Sequence, residues 1–375
     1  MTAPTDKATS GATEAQELAK LRDQIDAIDD QIGELISQRA LCAQKVAEVK
    51  HQFSDGTPPI FYRPEREAQV LRKAMARNKG PLSNEEFARL FREIMSACLA
   101  LESPVKVAFL GPEGTFTHQA ALKHFGQSAK VVPLTAIDEV FREVEAGSCH
   151  FGVVPVENST EGVVTHTLDS FMTSSLNICG EVVLRIHHNL MVGDATKVEN
   201  ISRIYSHAQS LAQCRKWLDA HYPKAERIAV SSNAEAARRM KSEWNAAAIA
   251  GEVAAQLYGL SIIAEKIEDM PDNSTRFLIV GNQPVGASGI DKTSVVAAVR
   301  NAPGALHEIL EPFHQFGVDL TRVESRPSRM GTWNYVFFID IDGHATSDSV
   351  SKALALVSAR AADLKILGSY PKGVL

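Results

Sequence analysis

A cation stands where an apolar residue belongs. Between residues 18 and 49 the side chains of Leu18, Leu21, Ile25, Ile28, Ile32 and Leu35 follow a three-four spacing, the next core position is Arg39, and Cys42, Val46 and Val49 resume the pattern. Burying an unpaired guanidinium costs several kcal/mol, so Arg39 either pairs with a carboxylate of its own chain or opens onto an anionic ligand. Lys50, eleven residues further on, falls on the same helical stripe at about 16 Å, and Arg22 flanks that stripe. Arg66 opens a second helical stretch, and Glu102 continues the Phe91, Ile94, Cys98 stripe of a third. Four cations and one carboxyl group on inward faces describe an enclosed site for a small dianion. With no activated nucleophile or metal cluster beside them, their chemistry is to fold a substrate and stabilise separating charge, as in a pericyclic rearrangement.

A second constellation is polar but uncharged. Gly111-Pro112-Glu113-Gly114-Thr115, Glu157-Asn158-Ser159-Thr160, Ser206-His207 and Ser231-Ser232-Asn233 each follow a β-rich run and lead into a helical stretch. Taken singly they are ordinary helix caps; converging at the carboxyl edge of a sheet, their free N–H groups make a cleft for a small acid. The first loop lacks a Gly-Lys-Ser/Thr phosphate cradle and no GxGxxG follows any strand, which disfavours a nucleotide.

These residues need elements to hold them. In a chain of 375 residues, 45% hydrophobic, two or three domains are expected. Residues 1–13 read as a loose tail, and 14–102 as three helices. The first, from about Glu14 to His51, is roughly 57 Å long, so a partner chain must cover part of it. The second begins at Arg63-Pro64-Glu65 and ends at Gly80-Pro81, and the third opens with Ser83 and Glu86 as a capping box. Beyond Ser103-Pro104, residues 105–282 alternate short β-rich runs with helical stretches, an α/β unit of doubly wound type. Asn282 to Asp291, rich in Gly, Pro and Ser, reads as a linker, and 292–375 repeats a strand-helix-strand order that is ferredoxin-like.

Composition narrows the function. A net charge of −6 leaves no basic face for nucleic acid. Five cysteines without a CxxC pair suit a reducing compartment, and without a signal segment or an 18-residue apolar run a cytoplasmic protein with no membrane partner is expected. Twelve histidines show no HExxH or similar spacing, so no metal is expected; His187-His188 falls in a strand-like run where neighbours face opposite sides.

Residues 14–102 resemble the all-helical chorismate mutases, whose dimers build each site from both chains. The resemblance implies that Arg22 reaches a carboxylate from the partner chain, Arg39 binds the other carboxylate, and Lys50 meets the ether oxygen that gains negative charge. It also implies that Arg66 and Glu67, in Pro64-Glu65-Arg66-Glu67, position the substrate hydroxyl and rim the pocket, and that a protonated Glu102 lies opposite the lysine. Arg63 departs from the family pattern, in which relatives can carry aspartate.

Asn273-Ser274-Thr275-Arg276-Phe277, Val154-Pro155-Val156-Glu157-Asn158-Ser159 and Tyr205-Ser206-His207 resemble the motifs of prephenate dehydratases, with a two-lobed α/β fold like that of periplasmic binding proteins. The implied proton donor is Thr275, with Asn158, Ser206, Gln213 and Thr115 holding the substrate and Arg276 as an orienting or ion-pair group. Pro303-Gly304-Ala305-Leu306 and Glu324-Ser325-Arg326-Pro327 resemble the two signatures of the ACT-type regulatory domain, implying phenylalanine at Gly304, Leu306, Ser325 and Arg326, a homodimer, and dehydratase activity that survives removal of residues 286–375. Together the chain is similar to the family that joins chorismate mutase to prephenate dehydratase, converting chorismate through prephenate to phenylpyruvate with no organic cofactor. A small-acid sensor without turnover is the competing expectation.

Overall fold

The structure, a computed structural model, describes residues 8–53, 60, 62–300, 302–327 and 335–374, with side chains in the first helix from residue 14 onward. The chain divides into two bodies, Met1–Phe61 with Ala97–Ser103, and Tyr62–Ser96 with Pro104–Leu375.

In the first body α1 runs from Ala8 to Gln52. It begins inside the stretch expected to be a tail, because Ala8, Ala12 and Ala15 favour helix there; residues 1–7 lie outside the described residues. The apolar stripe is real but uncovered: Leu18, Leu21, Ile25, Ile28, Ile32 and Leu35 are 45–63% exposed in the single chain.

The second body takes in α2 (Pro64–Arg77) and most of α3 (Asn84–Glu102), so the division differs from the expected boundary at Ser103-Pro104. α2 starts on a proline without a side-chain cap from Arg63 and buries Ala68, Leu71 and Ala74. Its Arg72 guanidinium donates to Ser288 Oγ and Ile290 O, each at 2.9 Å, pinning the segment expected to be a linker. The start of α3 is as expected, with the Glu86 N–H donating to Ser83 Oγ at 3.1 Å. An amphipathic stripe says that a face is buried, not against what, so the single-chain contacts of these helices are not legible in it.

The α/β part follows as β1 (Lys106–Leu110), α4 (Phe116–Phe125), β2 (Lys130–Leu134), α5 (Ile137–Glu145), β3 (Phe151–Asn158), β4 (Gly162–Val163), α6 (Thr165–Thr173) and β5 (Asn177–Arg185). A second run holds β6 (Asn189–Val192), β7 (Arg203–His207), α7 (Ala208–Gln213), α8 (Arg215–His221), β8 (Glu226–Val230), α9 (Asn233–Arg239), β9 (Ala246–Ala250), α10 (Glu252–Tyr258) and β10 (Ser261–Ala264). The chain then returns as β11 (Ser274–Gly281). Two mixed sheets result, β2-β1-β3-β11-β5 with β4 beside β3, and β10-β6-β9-β7-β8. Each forms one lobe, and the chain crosses between them over residues 186–188 and 265–273.

The C-terminal unit comprises β12 (Asp291–Val299), α11 (Ala305–Gln315), β13 (Leu320–Pro327), β14 (Tyr335–Asp342), α12 (Asp348–Arg360) and β15 (Asp363–Pro371), in an antiparallel sheet ordered β13-β14-β12-β15. One face packs on α11 and α12 through Ile309, Phe313, Leu354 and Val357. The other face contributes Val296, Val336, Phe338, Leu367 and Tyr370 to the core that also holds Val154, Val156, Leu278 and Val280 of the first lobe. Removing residues 286–375 would expose the first-lobe side of that shared core to water.

Candidate active sites

On α1 and at the end of α3, three of the expected mutase residues come within electrostatic reach of one another. Burial pushes the Glu102 carboxyl above the ordinary range, with Lys50 and then Arg39 pulling it down. Lys50 Nζ donates to Ile60 O at 3.1 Å. Arg39 is exposed in the single chain rather than inward, because the stripe it interrupts is itself uncovered. Arg22 lies seventeen residues before Arg39 on the same helix, about 25 Å away along its axis, so it cannot join this cluster within one chain.

Arg66 and Glu67 belong to the second body. Arg66 is exposed. Glu67, expected to rim the mutase pocket, instead accepts from Arg92 Nε at 3.2 Å, and Arg92 Nη1 donates onward to Lys123 O at 2.8 Å. Burial pushes the Glu67 carboxyl up while Arg92 pulls it down. Its carboxylate is thus committed to fixing α2 and α3 against α4.

Between the lobes lies a cleft of about 480 Å³. Its wall combines Thr115 and the start of α4, Asn158 at the end of β3 and Glu161 beyond it, Asn273 before β11 and Thr275 within it, Gln213 of α7, and Asn233 at the start of α9. None of the lining residues is a lysine or arginine; the titratable ones are Glu161, His188 and His207. An acid held here is met by amides, hydroxyls and the unpaired N–H groups of the first turn of α4, around Phe116 and Thr117.

Thr275 reaches the cleft because β11 is clasped between β3 and β5, opposite Asn158 and Leu184. Side chains alternate along the strand, so Thr275 and Phe277 face the cleft and Arg276 faces away. Thr275 Oγ1 accepts from Asn158 Nδ2 at 2.7 Å. With that acceptor role filled, its hydrogen is free to point at a ligand. Asn158 itself is fully engaged, its Oδ1 accepting the N–H groups of Thr160 and Glu161, each at 3.0 Å. Thr115 lines the cleft as the cap of α4, its hydroxyl taken up by Leu110 O and the His118 N–H.

Ser206, expected to touch the substrate, is fully buried and outside the cleft lining. Its hydroxyl lies 2.8 Å from Ile249 O and 2.9 Å from Asn233 Oδ1. The same Oδ1 accepts the His207 N–H and Ser210 Oγ, both at 3.0 Å, which turns Asn233 so that its Nδ2 is the group left for the cleft. Ser206 therefore holds Asn233, and Asn233 is the lining residue that reasoning from motifs passed over. Asn273 and His188 were also missed as wall residues; Asn273 stood two places before Thr275, whereas His188 carried no signal beyond its type.

On the far side of β11, Arg276 is an ion-pair residue. Its Nε and Nη1 meet Glu181 Oε2 at 2.9 Å and Asp340 Oδ2 at 2.5 Å, and Nη2 donates to Tyr370 Oη at 3.0 Å. Lys292 Nζ adds a 3.0 Å contact to the same Glu181 oxygen. Burial works against the Arg276 charge, but Tyr370, Asp340 and Glu181 outweigh it and hold the guanidinium protonated. Likewise Glu157, the neighbour of Asn158, pairs with Arg322 of β13 at 2.9 Å. Thr275 and Asn158 thus each have a chain neighbour tied to the C-terminal unit.

In that unit Gly304 takes a left-handed conformation with φ 84° at the start of α11, and with Leu306, Tyr335 and Phe337 lines a cavity of about 200 Å³. Ser325 and Arg326 do not line it. Arg326, expected at the effector, instead donates to Thr165 O at 2.8 Å and pairs with Asp169 at 3.1 Å, docking β13 onto α6. Among the described residues no group of His, Cys, Asp and Glu side chains is placed to hold a metal ion, and no helix is long and apolar enough to cross a membrane.

Family models match the chain in three consecutive stretches: chorismate mutase type II over residues 21–103, prephenate dehydratase over 107–285 and the ACT domain over 293–355. A bifunctional chorismate mutase/prephenate dehydratase of Pseudomonas aeruginosa is 66% identical over 360 residues, covering 96% of this chain and 99% of that protein. Its counterpart in Neisseria gonorrhoeae is 50% identical over 356 residues, covering 94% and 97%. The crystal structure of prephenate dehydratase from Arthrobacter aurescens in complex with L-Phe superposes with a TM-score of 0.66 at 39% identity, over 71% of this chain and 90% of that one. From α1 through the cleft to β15, the chain belongs to the family of bifunctional chorismate mutase/prephenate dehydratases, with an ACT domain at its C-terminal end.

Proposed function

We propose that the two activities of the family are carried at two places on this chain: rearrangement of chorismate to prephenate at Arg39, Lys50 and Glu102, and conversion of prephenate to phenylpyruvate in the cleft at Thr275. In the first reaction the ether C–O bond breaks as a C–C bond forms, and negative charge gathers on the ether oxygen. Lys50 and protonated Glu102 donate to that oxygen while Arg39 holds a carboxylate. The uncovered stripe of α1 and the distance from Arg22 to Arg39 support a homodimer in which a second copy supplies Arg22 and covers the seam. Glu67 acts by anchoring α2 through Arg92.

In the second reaction the ring carboxylate leaves as carbon dioxide, its electron pair moves through the ring, and the ring hydroxyl departs as water with a proton passed on by Thr275 Oγ1, which solvent water replaces. Gln213, Asn233 and the start of α4 hold the remaining carboxylate, and Asn158 orients Thr275. The observation that carries this reading is the Asn158 to Thr275 hydrogen bond, which leaves the threonine hydrogen as a donor at the wall of a cleft without cations. Phenylalanine is the proposed effector at Gly304 and Leu306, with Ser325 of a second copy completing the site and Arg326 stabilising β13. Five free cysteines support a cytoplasmic location.

The test supplies prephenate and phenylalanine separately. Prephenate should yield phenylpyruvate with wild-type chain and with Thr275→Ser, which keeps a hydroxyl, and added phenylalanine should suppress that turnover unless Gly304 is replaced. Binding of prephenate without conversion would return the sensor reading.

A further inference from the structure

A chain of side-chain hydrogen bonds runs along the cleft wall, and the backbone fixes its direction. Because two main-chain N–H groups donate to Asn158 Oδ1, that atom is the carbonyl end and Nδ2 is the donor to Asn273 Oδ1 at 2.9 Å. Asn273 is then left with Nδ2, which donates to Gln213 Oε1 at 3.1 Å. His188 Nε2 lies 2.9 Å from the same Gln213 oxygen, so it must carry a hydrogen. The imidazole is 1% exposed, and burial lowers its pKa. A neutral ring has one N–H, here on Nε2, while Nδ1 is buried with no hydrogen-bond partner among the described residues. The ring is held from behind, its main-chain N–H donating to Glu268 Oε2 at 2.9 Å and its edge set against Phe116 at 5.6 Å between centroids.

Two donors on Gln213 Oε1 leave its Nε2 toward Thr160 Oγ1 and Glu161 Oε1, at 3.2 and 3.3 Å. Both contacts are long, and Gln213 and Glu161 line the cleft. Without the imidazole donor the glutamine could turn its carbonyl toward an acidic ligand and its NH₂ toward that of Asn273, putting like ends together at the link that steadies Asn158 and Thr275.

We propose that His188 is a positioning residue of the dehydratase reaction: its Nε2–H fixes the orientation of the Gln213 amide in the cleft wall and keeps the chain through Asn273 and Asn158 running in the one direction that leaves the Thr275 hydrogen for the departing hydroxyl. The inference rests on the reading of the cleft given above. A buried acceptor left unpaired in the wall of a working site is a feature that selection for stability alone would remove.

The test compares His188→Leu with His188→Gln, which keeps an N–H donor at similar reach. His188→Leu should lower kcat for prephenate by about tenfold to 10²-fold with KM within about threefold, and leave chorismate turnover unchanged. His188→Gln should recover most of kcat. Equal turnover in the two variants would reduce His188 to packing and overturn the proposal. Should the leucine chain melt early, Asn273→Asp, which keeps the acceptor for Asn158 but removes the donor to Gln213, should show the same kcat loss, and normal turnover there would overturn it as well. Nitrogen-15 shifts of histidine-labelled wild-type chain, assigned by His188→Gln, should show the Nε2–H tautomer; an Nδ1–H tautomer would contradict the direction of the chain. An inactive Thr275→Val beside a fully active His188→Leu removes this inference alone, whereas an active Thr275→Val removes the reading of the cleft itself.

Discussion

The α1 seam and the interlobe cleft, the two sites proposed for closely related dianions, are built by opposite means. The seam carries formal charge, with Arg39 and Lys50 near a Glu102 carboxyl that burial pushes above the ordinary range, and in one chain it is open, its apolar stripe about half exposed. The cleft wall, as one chain forms it, has no lysine or arginine. The reactions account for the contrast. A rearrangement that builds charge on an ether oxygen is helped by fixed cations, which need no proton. A dehydration needs a hydrogen delivered to a leaving hydroxyl, and strong cations beside the substrate would hold back the carboxylate electrons that must push it out. Neutral donors aligned by the backbone bind the acid without that penalty.

The largest expected effect is on the charged site. Arg39→Leu should lower mutase turnover by about 10²-fold to 10³-fold while the melting temperature stays the same or rises, since a leucine restores the apolar stripe. Marked destabilisation of the ligand-free chain would make Arg39 a structural ion-pair partner and erase the contrast. Next, Ile28→Lys in the middle of the stripe should shift sedimentation toward monomer and cut mutase turnover with prephenate turnover spared; unchanged association would mean that the seam is not covered by a second copy. Arg276→Met should cost roughly 3 kcal/mol in a denaturant melt, because Glu181 and Asp340 stay buried after losing their shared cation, with Lys292 easing only the first. A neutral result would show that the ties between cleft and ACT unit carry little.

The smallest effect concerns pH. Burial raises the Glu102 pKa, so the donor form persists above the usual carboxylate range and fades as pH rises through the raised value. Wild-type mutase turnover should therefore fall with rising pH over that interval, and Glu102→Gln should flatten the profile. An unchanged profile would take Glu102 out of the donor role.

Much of this was legible before any coordinates. Ser83 and Glu86 declared themselves by capping and the C-terminal unit by its order of strands and helices, while Arg39 and Thr275 stood out as candidates, the one by breaking an apolar period and the other by its motif. What stayed hidden depends on contacts distant in sequence. β5 is hard to read from sequence because Gly180 and Glu181 break its apolar run, and Glu181 makes sense only beside Arg276 and Lys292. The choice between Ser206 and Asn233 turns on which hydroxyl and which amide face a cleft that neither segment makes alone. Glu67 and Arg326 sit in motifs that resemble binding elements, yet in the single chain both are docking residues, paired with Arg92 and Asp169. His188 acquires meaning only through Gln213 and Asn273, 25 and 85 residues further along the chain.

The division of labour is tested most directly by mixing two damaged chains. Arg39→Leu should still convert prephenate, Thr275→Val should still convert chorismate, and neither alone should carry chorismate to phenylpyruvate at more than about a hundredth of the wild-type rate. Combined in one tube, they should restore phenylpyruvate formation from chorismate. If each substitution instead silences both half-reactions and the mixture stays inactive, the two chemistries share one site and the separation of seam from cleft is wrong.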